Sequence, residues 1–480
     1  MRTVGQNAVL NIIKTVLTIL FPVITYPYVF RTLGVTGIGR YTFSASIISY
    51  FSLIAGLGIN GYAIREGARL RGDREKINRF ASEVFSIQIY SLTTALGLLL
   101  LACSFVNKFF GYRDLIAILS IEIVLSSISL NWVYTVFEDY TFTTVISVIL
   151  EAVSLLSIFL LVKSQQDVRI YAAISVISNY GYAVFTFFYA KRYVSIRWRR
   201  NPSKRHLKPV FLLFFSSIAT TIYINSDITL LGWMIGDDSV GIYGAASKIY
   251  IITKYIVNAA VTVTIPRMAY YIGNECFEKA RAFGRNVLDG MFLICVPTLC
   301  GLFFTSDLVI KVFSGGEFIR AATPLRILSI ALVFAVFANF YVNCILMALK
   351  KEKVIMTAAV ISAVVNIVLN VLLIPFFGEN AAAFTTVCAE VIICMIGYLV
   401  SRRDFKVGIS MRNIGCCLTG CGAILIICFF VRKLSVGDFW KLVISVLLSI
   451  SAYGLLQVIL KNPICEEVIS NLVKRKQKKY

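Results

Sequence analysis

Apolar stretches of about 20 residues or more alternate with short polar stretches along the whole chain. A helix of that length crosses the roughly 30 Å hydrocarbon core of a bilayer. The pattern therefore predicts an all-α polytopic membrane protein, with no stretch long enough for a large soluble domain. About fourteen membrane-spanning helices are predicted, at roughly 7–30, 41–64, 82–106, 115–137, 141–162, 170–190, 209–235, 241–265, 286–306, 324–349, 354–375, 382–400, 412–432 and 439–460.

The composition agrees with this class, because 58% of the 480 residues are hydrophobic and only 15% are charged. Soluble domains carry about a quarter charged residues. The net charge of +22 would also suit a nucleic-acid-binding protein. However, the lysines and arginines cluster in the short loops between apolar stretches, where membrane orientation requires them. Nucleic acid is therefore not an expected partner.

Basic residues are distributed unequally between the two sets of loops. The loops after even-numbered spans, together with both termini, hold about 32 lysines and arginines, against about 12 in the other loops. Basic loops of membrane proteins stay in the cytoplasm. The distribution predicts an even number of spans, with both termini in the cytoplasm, including a basic tail at about 461–480.

Residue patterns that most enzymes and metal sites require are missing from this sequence. The 12 cysteines show no zinc-binding C-x-x-C spacing, and His206 is the single histidine. The stretch Gly56-Leu57-Gly58-Ile59-Asn60-Gly61 matches the dinucleotide pattern, but it ends an apolar helix instead of following a strand. No phosphate-binding G-K-[ST] loop occurs. We therefore expect a transporter and not an enzyme, with no cofactor and no metal site.

Two segments about 202 residues apart resemble each other. Residues 33–41 (LGVTGIGRY) align without gaps to residues 235–243 (IGDDSVGIY), and at the same offset Arg65 falls on Arg267. About six predicted spans separate the copies, so both copies cross the membrane in the same direction, as in parallel repeats. The sequence thus predicts an N-lobe at about 1–200, a C-lobe at about 201–405 and two extra helices at about 406–460, with a cavity between the lobes.

Several lysines and amides lie within the predicted spans, where an ionisable group costs at least about 2.5–3.5 kcal/mol and usually faces a cavity or a partner. The first span places Asn11 and Lys14 on one face. The eighth places Lys254 and Asn258 on one face, with Lys248 close by. We expect these residues to line a hydrated cavity that binds an anionic group such as a diphosphate. The alternatives are that the lysines pair with buried carboxylates for structural reasons, or that they extend their ammonium groups to the membrane surface.

Carboxylates at membrane depth form a second set of candidates. Asp227, together with Asn225 in the same span, is a candidate for coupling transport to a proton or a cation. Structural pairing is the alternative for Asp227. Four further acidic residues in the spans have weaker support as functional groups: Glu122, Glu151, Asp289 and Glu390.

The chain resembles, over essentially its whole length, the polysaccharide-transporter (oligosaccharide flippase) branch of the multidrug/oligosaccharidyl-lipid/polysaccharide exporter superfamily. The order and spacing of short segments carry this likeness, and the repeated Gly-x-Tyr is the most specific of them. The segments are Leu33-Gly34, Gly39-x-Tyr41, Asn225-x-Asp227, Leu231-Gly232, Val240-Gly241-Ile242-Tyr243-x-Ala245-Ala246-x-Lys248-Ile249, Ile265-Pro266-Arg267 and Asn366…Asn370…Pro375…Ala382-Ala383.

This resemblance implies an O-antigen, capsule or exopolysaccharide flippase in the bacterial inner membrane. Such proteins move an undecaprenyl-diphosphate-linked oligosaccharide across the membrane by alternating access, with proposed H⁺ or Na⁺ coupling. Membrane lipids and a polysaccharide polymerase are the partners to expect. A lipid-linked peptidoglycan-precursor flippase and a drug/cation antiporter of the same superfamily remain alternatives. The lysines named above follow from their burial and are not residues of a family motif.

Overall fold

The computed structural model describes the backbone of residues 4–466, and the side chains of residues 20–466 except 216, 219 and 404. The described residues form helices and no strand, which confirms the predicted all-α class. The α-helices are α1 Val4–Gly56, α2 Ile59–Leu70, α3 Arg74–Phe105, α4 Arg113–Ile128, α5 Asn131–Val136, α6 Thr141–Leu161, α7 Val168–Tyr180, α8 Tyr182–Ala190, α9 Leu207–Met234, α10 Asp237–Thr262, α11 Ile265–Gly273, α12 Phe277–Phe313, α13 Ala322–Asn339, α14 Glu352–Asp404, α15 Met411–Arg432 and α16 Asp438–Ile459.

Eleven helical stretches of the described chain are long and apolar enough to cross a membrane. The number becomes twelve if the segments Lys204–Phe215 and Thr220–Met234, which meet at 49°, form one broken span. In this count α1 and α14 each contribute one stretch, although each has 53 residues. The prediction of about fourteen spans stays a prediction.

Glycines interrupt both of these 53-residue helices. A straight helix of that length would extend about 80 Å, more than twice the hydrocarbon thickness of a bilayer. Gly34 in α1 has φ 67° and Gly378 in α14 has φ 52°. Residues with a Cβ atom rarely adopt these positive φ values, whereas glycine adopts them readily. In α14, Thr385 donates a 2.6 Å hydrogen bond to Asn370 across this break. Each helix is therefore two segments joined at a glycine.

The chain divides into two compact units, Met1–Gly241 and Ile242–Tyr480. The core of the first includes Phe80, Trp132 and Tyr134, all nearly inaccessible. In the second, α15 and α16 pack against each other and against α12. The sequence-based lobes at 1–200 and 201–405, with the extra helices at 406–460, stay predictions.

Reciprocal glycine contacts occur between the two repeated segments, entirely within the first unit. A Cβ atom at Gly39 would lie 1.9 Å from the carbonyl oxygen of Asp237, and one at Gly241 would lie 2.1 Å from that of Val35. Val35 and Asp237 occupy equivalent positions in the two copies, as do Gly39 and Gly241. Equivalent residues that exchange equivalent contacts are the mark of a twofold axis. The contact thus supports the duplication that the sequence predicts.

The single histidine lies in a buried cluster and not on an exposed loop. His206 is 2% exposed; its Nδ1 lies 2.7 Å from the Tyr62 hydroxyl and its Nε2 lies 2.7 Å from Glu83 Oε2. Arg79 donates a 3.1 Å hydrogen bond to the same carboxylate. These contacts attach the segment that precedes α9 to α2 and α3.

Replacing His206 with alanine is expected to destabilise the first unit. The change removes a hydrogen bond to a charged carboxylate, which contributes about 1.5–3 kcal/mol. We expect the thermal unfolding midpoint of the purified protein to fall by several degrees. Lys204→Ala, at a neighbouring exposed position, is the control. An unchanged midpoint for His206→Ala would show that the cluster does not support this fold.

Candidate substrate-binding site

An ion pair in the second unit involves one of the predicted lysines. Lys254 Nζ on α10 lies 2.6 Å from Glu390 Oε1 on α14. The Tyr250 hydroxyl, one helical turn before Lys254, donates a 3.1 Å hydrogen bond to the same oxygen. The Glu390 side chain is 5% exposed, whereas that of Lys254 is 29% exposed. The lysine thus compensates a buried carboxylate and keeps part of its surface accessible.

Burial makes this pair strongly interdependent. Removing one partner of a buried pair leaves an uncompensated charge, which costs about 3–5 kcal/mol. A lysine that keeps an accessible surface can also accept a second anion, because its ammonium group carries three donors. Of the two alternatives for Lys254, the pairing with a buried carboxylate is present, and a place in the lining of a cavity stays a prediction.

Asn258, one turn further along α10, belongs to a row of amides. Asn339 Nδ2 donates a 2.8 Å hydrogen bond to Asn258 Oδ1, and Asn343 Nδ2 donates to Asn339 Oδ1. Asn343 lies in a π-helical segment, Phe340–Leu346, directly after α13. Wide helical turns of this kind occur frequently at functional sites. Lys254, Asn258 and these amides therefore form one polar face inside the second unit.

A polar chamber of about 460 Å³ lies within the first unit. Asn225, a predicted coupling residue on α9, lines it together with Thr221. Glu122 on α4 also lines the chamber, within hydrogen-bonding reach of the Tyr180 hydroxyl. The two residues predicted for coupling are thus placed differently, since Asp227 is 5% exposed on α9 and does not line this chamber.

The remaining predicted site residues give less information. Lys248 is half-buried on α10. Asn11 and Lys14 belong to α1, but their side chains lie outside the described residues. The roles assigned to all seven residues stay predictions.

An apolar groove of about 660 Å³ lies between α12, α15 and α16 in the second unit. Its wall on α12 includes Leu293, Pro297 and Gly301, and its wall on α16 includes Ile450 and Gly454. The hydrophobic character of these walls suits hydrocarbon more than a charged group. Both α15 and α16 lie within residues 406–460, where two extra helices are predicted, and no binding role is predicted for them.

Sequence reasoning missed several contact residues of these sites. Glu390 was a weak candidate, and Tyr250, Asn339 and Asn343 were not selected. The available signal was spacing, because Tyr250, Lys254 and Asn258 recur every four residues on one face of α10. The partners on α13 and α14 lie about 80 to 140 positions away, and helical periodicity gives no information on such pairs.

The fold is that of a polytopic helical membrane protein, and solved structures of two transporters share it. The structure of a lipid II flippase, MurJ, in an inward closed conformation aligns with 96% of this chain and 99% of its own, with a TM-score of 0.75 and 15% identity. An inward-facing multidrug resistance transporter of the MATE family aligns with 81% of this chain and 94% of its own, with a TM-score of 0.62 and 15% identity. At these identities the likeness concerns the fold alone.

The chain belongs to the family described as "Polysaccharide biosynthesis protein", whose model matches residues 4–271, more than half of the sequence. A second family model, MatE, matches residues 213–372. A protein of Shigella dysenteriae assigned as an O-antigen transporter is 22% identical, covering 78% of this chain and 94% of its own. A capsular polysaccharide biosynthesis protein of Staphylococcus aureus is 21% identical, covering 77% and 91%. The family and superfamily suggested by the sequence are thereby confirmed.

Proposed function

We propose that this protein is a flippase that moves an undecaprenyl-diphosphate-linked oligosaccharide across the bacterial inner membrane by alternating access. The observation that carries the proposal is the partly accessible Lys254 beside buried Glu390 in a membrane-embedded unit. A diphosphate-linked lipid offers the anion that such a lysine attracts. The relatives assigned to O-antigen transport and capsule biosynthesis support the same substrate class.

The proposed substrate has two chemically different ends, and the second unit offers a surface for each. The polar face of Lys254 and Asn258 suits the charged diphosphate and the first polar groups attached to it. The apolar groove between α12, α15 and α16 suits the polyprenyl chain, because burying hydrocarbon is favourable by about 25 cal/mol per Å². Within the proposal, diphosphate and tail are held by the same unit.

The ion pair changes when the substrate binds. The diphosphate and Glu390 would share the three donors of the Lys254 ammonium group. Within the proposal, Asp227 and Asn225 stay the residues that couple transport to a proton or a cation.

Gene deletion tests the proposed function. The deletion strain, in a background without paralogues, is expected to lose surface polysaccharide and to accumulate undecaprenyl-linked units on the cytoplasmic side of its membrane. Expression of the wild-type chain is expected to reverse both effects. Persistent surface polysaccharide without accumulation would contradict the proposal.

Filling the apolar groove is expected to reduce export without unfolding the protein. Gly301 on α12 lines the groove, and a Cβ atom there has no neighbour within 4 Å. Gly301→Trp is therefore expected to lower surface polysaccharide about tenfold at an unchanged protein level, since the indole ring occupies the space in which the tail would bury its surface. Gly290→Trp on the same helix, equally open but outside the groove, is the matched control. Equal export from both variants would show that the groove is not needed for transport.

A drug/cation antiporter is the second candidate, favoured by the MatE model match at residues 213–372 and by the buried carboxylate of Glu390. An antiporter for organic cations needs a free acidic site, whereas Glu390 is neutralised by Lys254. We therefore expect deletion of the gene to leave resistance to cationic drugs unchanged. A several-fold fall in resistance, with normal surface polysaccharide, would favour the antiporter.

A further inference from the structure

Three helix breaks meet at the polar chamber of the first unit. Its lining includes Gly56 at the end of α1, Ser127 near the end of α4 and Tyr180 at the end of α7, with Asn60 and Asn131 at the starts of α2 and α5. Irregular backbone at membrane depth is tolerated where it is buried in protein or lines a hydrated cavity. In several transporters, broken helices of this kind surround a binding site. The chamber thus has the architecture of a site and not of a packing defect.

Hydroxyl groups in the chamber lack partners. The residues Ser52, Ser127 and Ser129 line the chamber, but their Oγ atoms are almost inaccessible and have no hydrogen-bond partner among the described residues. A buried hydroxyl without a hydrogen bond is unfavourable. Because a serine hydroxyl changes direction by rotation about one bond, the hydroxyl groups of a ligand in the chamber would bring these donors into hydrogen bonds.

Three amides in the chamber are held in place by their nitrogens. Gln88 Nε2 donates to the carbonyl oxygen of Ala55 at 2.6 Å, and Asn131 Nδ2 donates to the Tyr182 hydroxyl at 2.8 Å. Asn225 Nδ2 donates to the carbonyl oxygen of Thr221 at 3.0 Å. Each amide therefore keeps its side-chain oxygen as an acceptor. Fixed acceptors beside unpartnered hydroxyls are what a ligand with many hydroxyl groups requires.

Charge and size narrow the ligand class. Glu122 is the one carboxylate among the described lining residues, which include no lysine, arginine or histidine. An anionic diphosphate therefore has no attraction to this wall. A bare cation needs far less space than about 460 Å³, a volume within the roughly 300–1,000 Å³ of small-molecule sites. Trp132 adds an aromatic surface to the lining.

We propose that this chamber is a glycan subsite that binds an uncharged sugar residue of the transported unit through its hydroxyl groups. The inference rests on the proposed flippase function and goes beyond it, because it separates recognition of the sugar from recognition of the diphosphate. Glu122, held near Tyr180, accepts a hydrogen bond from a sugar hydroxyl. Specificity for the sugars of the oligosaccharide then depends on the first structural unit of the chain, and affinity for the lipid diphosphate depends on the second.

Serine substitutions test the subsite without damaging the fold. Removing an unpartnered buried hydroxyl relieves an unfavourable group, so Ser127→Ala and Ser129→Ala should leave thermal stability equal or slightly higher. The probe is the free oligosaccharide released by mild acid from the host's lipid-linked units, titrated against the full-length protein in lipid nanodiscs. We expect the double variant to bind this saccharide about 10-fold or more weakly. Binding of undecaprenyl diphosphate without sugar should be unchanged.

A control separates this inference from the general effect of serine removal. Ser154 is 1% exposed, equally unpartnered among the described residues, and not part of the chamber lining. Ser154→Ala should bind the saccharide as the wild type does. If the chamber holds only water, the double variant will bind the saccharide normally while the wild-type gene still restores export in the deletion strain. That result would overturn the glycan subsite alone, whereas failure of the wild-type gene to restore export would overturn the proposed function.

Discussion

Export of surface polysaccharide is expected to fall below about one tenth of the wild-type level when Lys254 is replaced by methionine. The substitution removes the cation proposed to bind the diphosphate, and it leaves Glu390, which is 5% exposed, without its charge partner. An uncompensated buried charge costs about 3–5 kcal/mol, so a lower protein level is expected as well. Surface polysaccharide measured per molecule of protein in the membrane separates these two effects.

The double variant Lys254→Met/Glu390→Gln distinguishes a binding role from a structural role. Without either charge the burial penalty disappears, so the membrane level should return to that of the wild type. Export should remain low, because no cation is left for the diphosphate. Lys311, which pairs with Asp438 at 3.5 Å on an accessible surface, is the matched control, and Lys311→Met should export normally. Recovery of export in the double variant would show that Lys254 serves only to neutralise Glu390.

Substitution of Gly39 or Gly241 by alanine is expected to have an effect of similar size. An added Cβ atom would lie 1.9 Å or 2.1 Å from a backbone carbonyl oxygen, which is closer than real Cβ contacts, so the two turns must separate. Because the two contacts are equivalent under the repeat, both single variants should lose export to about the same degree, about tenfold, and the double variant should lose little more. The readout is surface polysaccharide at matched protein levels.

The control for the glycine contact is Gly97, which lies on α3 and has open space around its Cβ position. Gly97→Ala should export as the wild type does and be slightly more stable, because alanine favours a helix by about 1 kcal/mol over glycine. Normal export from Gly39→Ala and Gly241→Ala would mean that the close approach of the two turns is not needed for transport. Unequal losses would argue against the twofold relation between them.

The length and number of the apolar stretches were sufficient to predict the fold class, because the thickness of the bilayer sets the length of a membrane-spanning helix. The repeat was visible because Gly39 and Gly241 must remain glycines where the backbones approach closely. The breaks were less predictable. Gly34 and Gly378 join helices with so few residues that each pair forms one 53-residue stretch, whereas the sequence pattern placed several residues in each connection.

The candidate sites were only partly predictable, for a different reason. Helical spacing selects residues on one face, so it found Lys254 and Asn258, but it does not reveal what that face contacts. Glu390 lies 136 positions away and becomes the partner of Lys254 only through packing of α14. The chamber in the first unit arises from three separate helix breaks, and its serines look like ordinary small residues of membrane helices in the sequence.

Translocation in proteoliposomes tests directly whether the protein moves a lipid-linked glycan and whether the anion site at Lys254 is needed for it. Purified protein would be reconstituted with the undecaprenyl-diphosphate-linked oligosaccharide of the host, and exposure of its glycan on the opposite leaflet would be followed with a membrane-impermeant lectin. We expect rapid equilibration with the wild type and with Lys311→Met, and loss of equilibration with Lys254→Met/Glu390→Gln. Equal rates for the wild type and the Lys254→Met/Glu390→Gln variant, or no translocation by the wild type, would contradict this expectation.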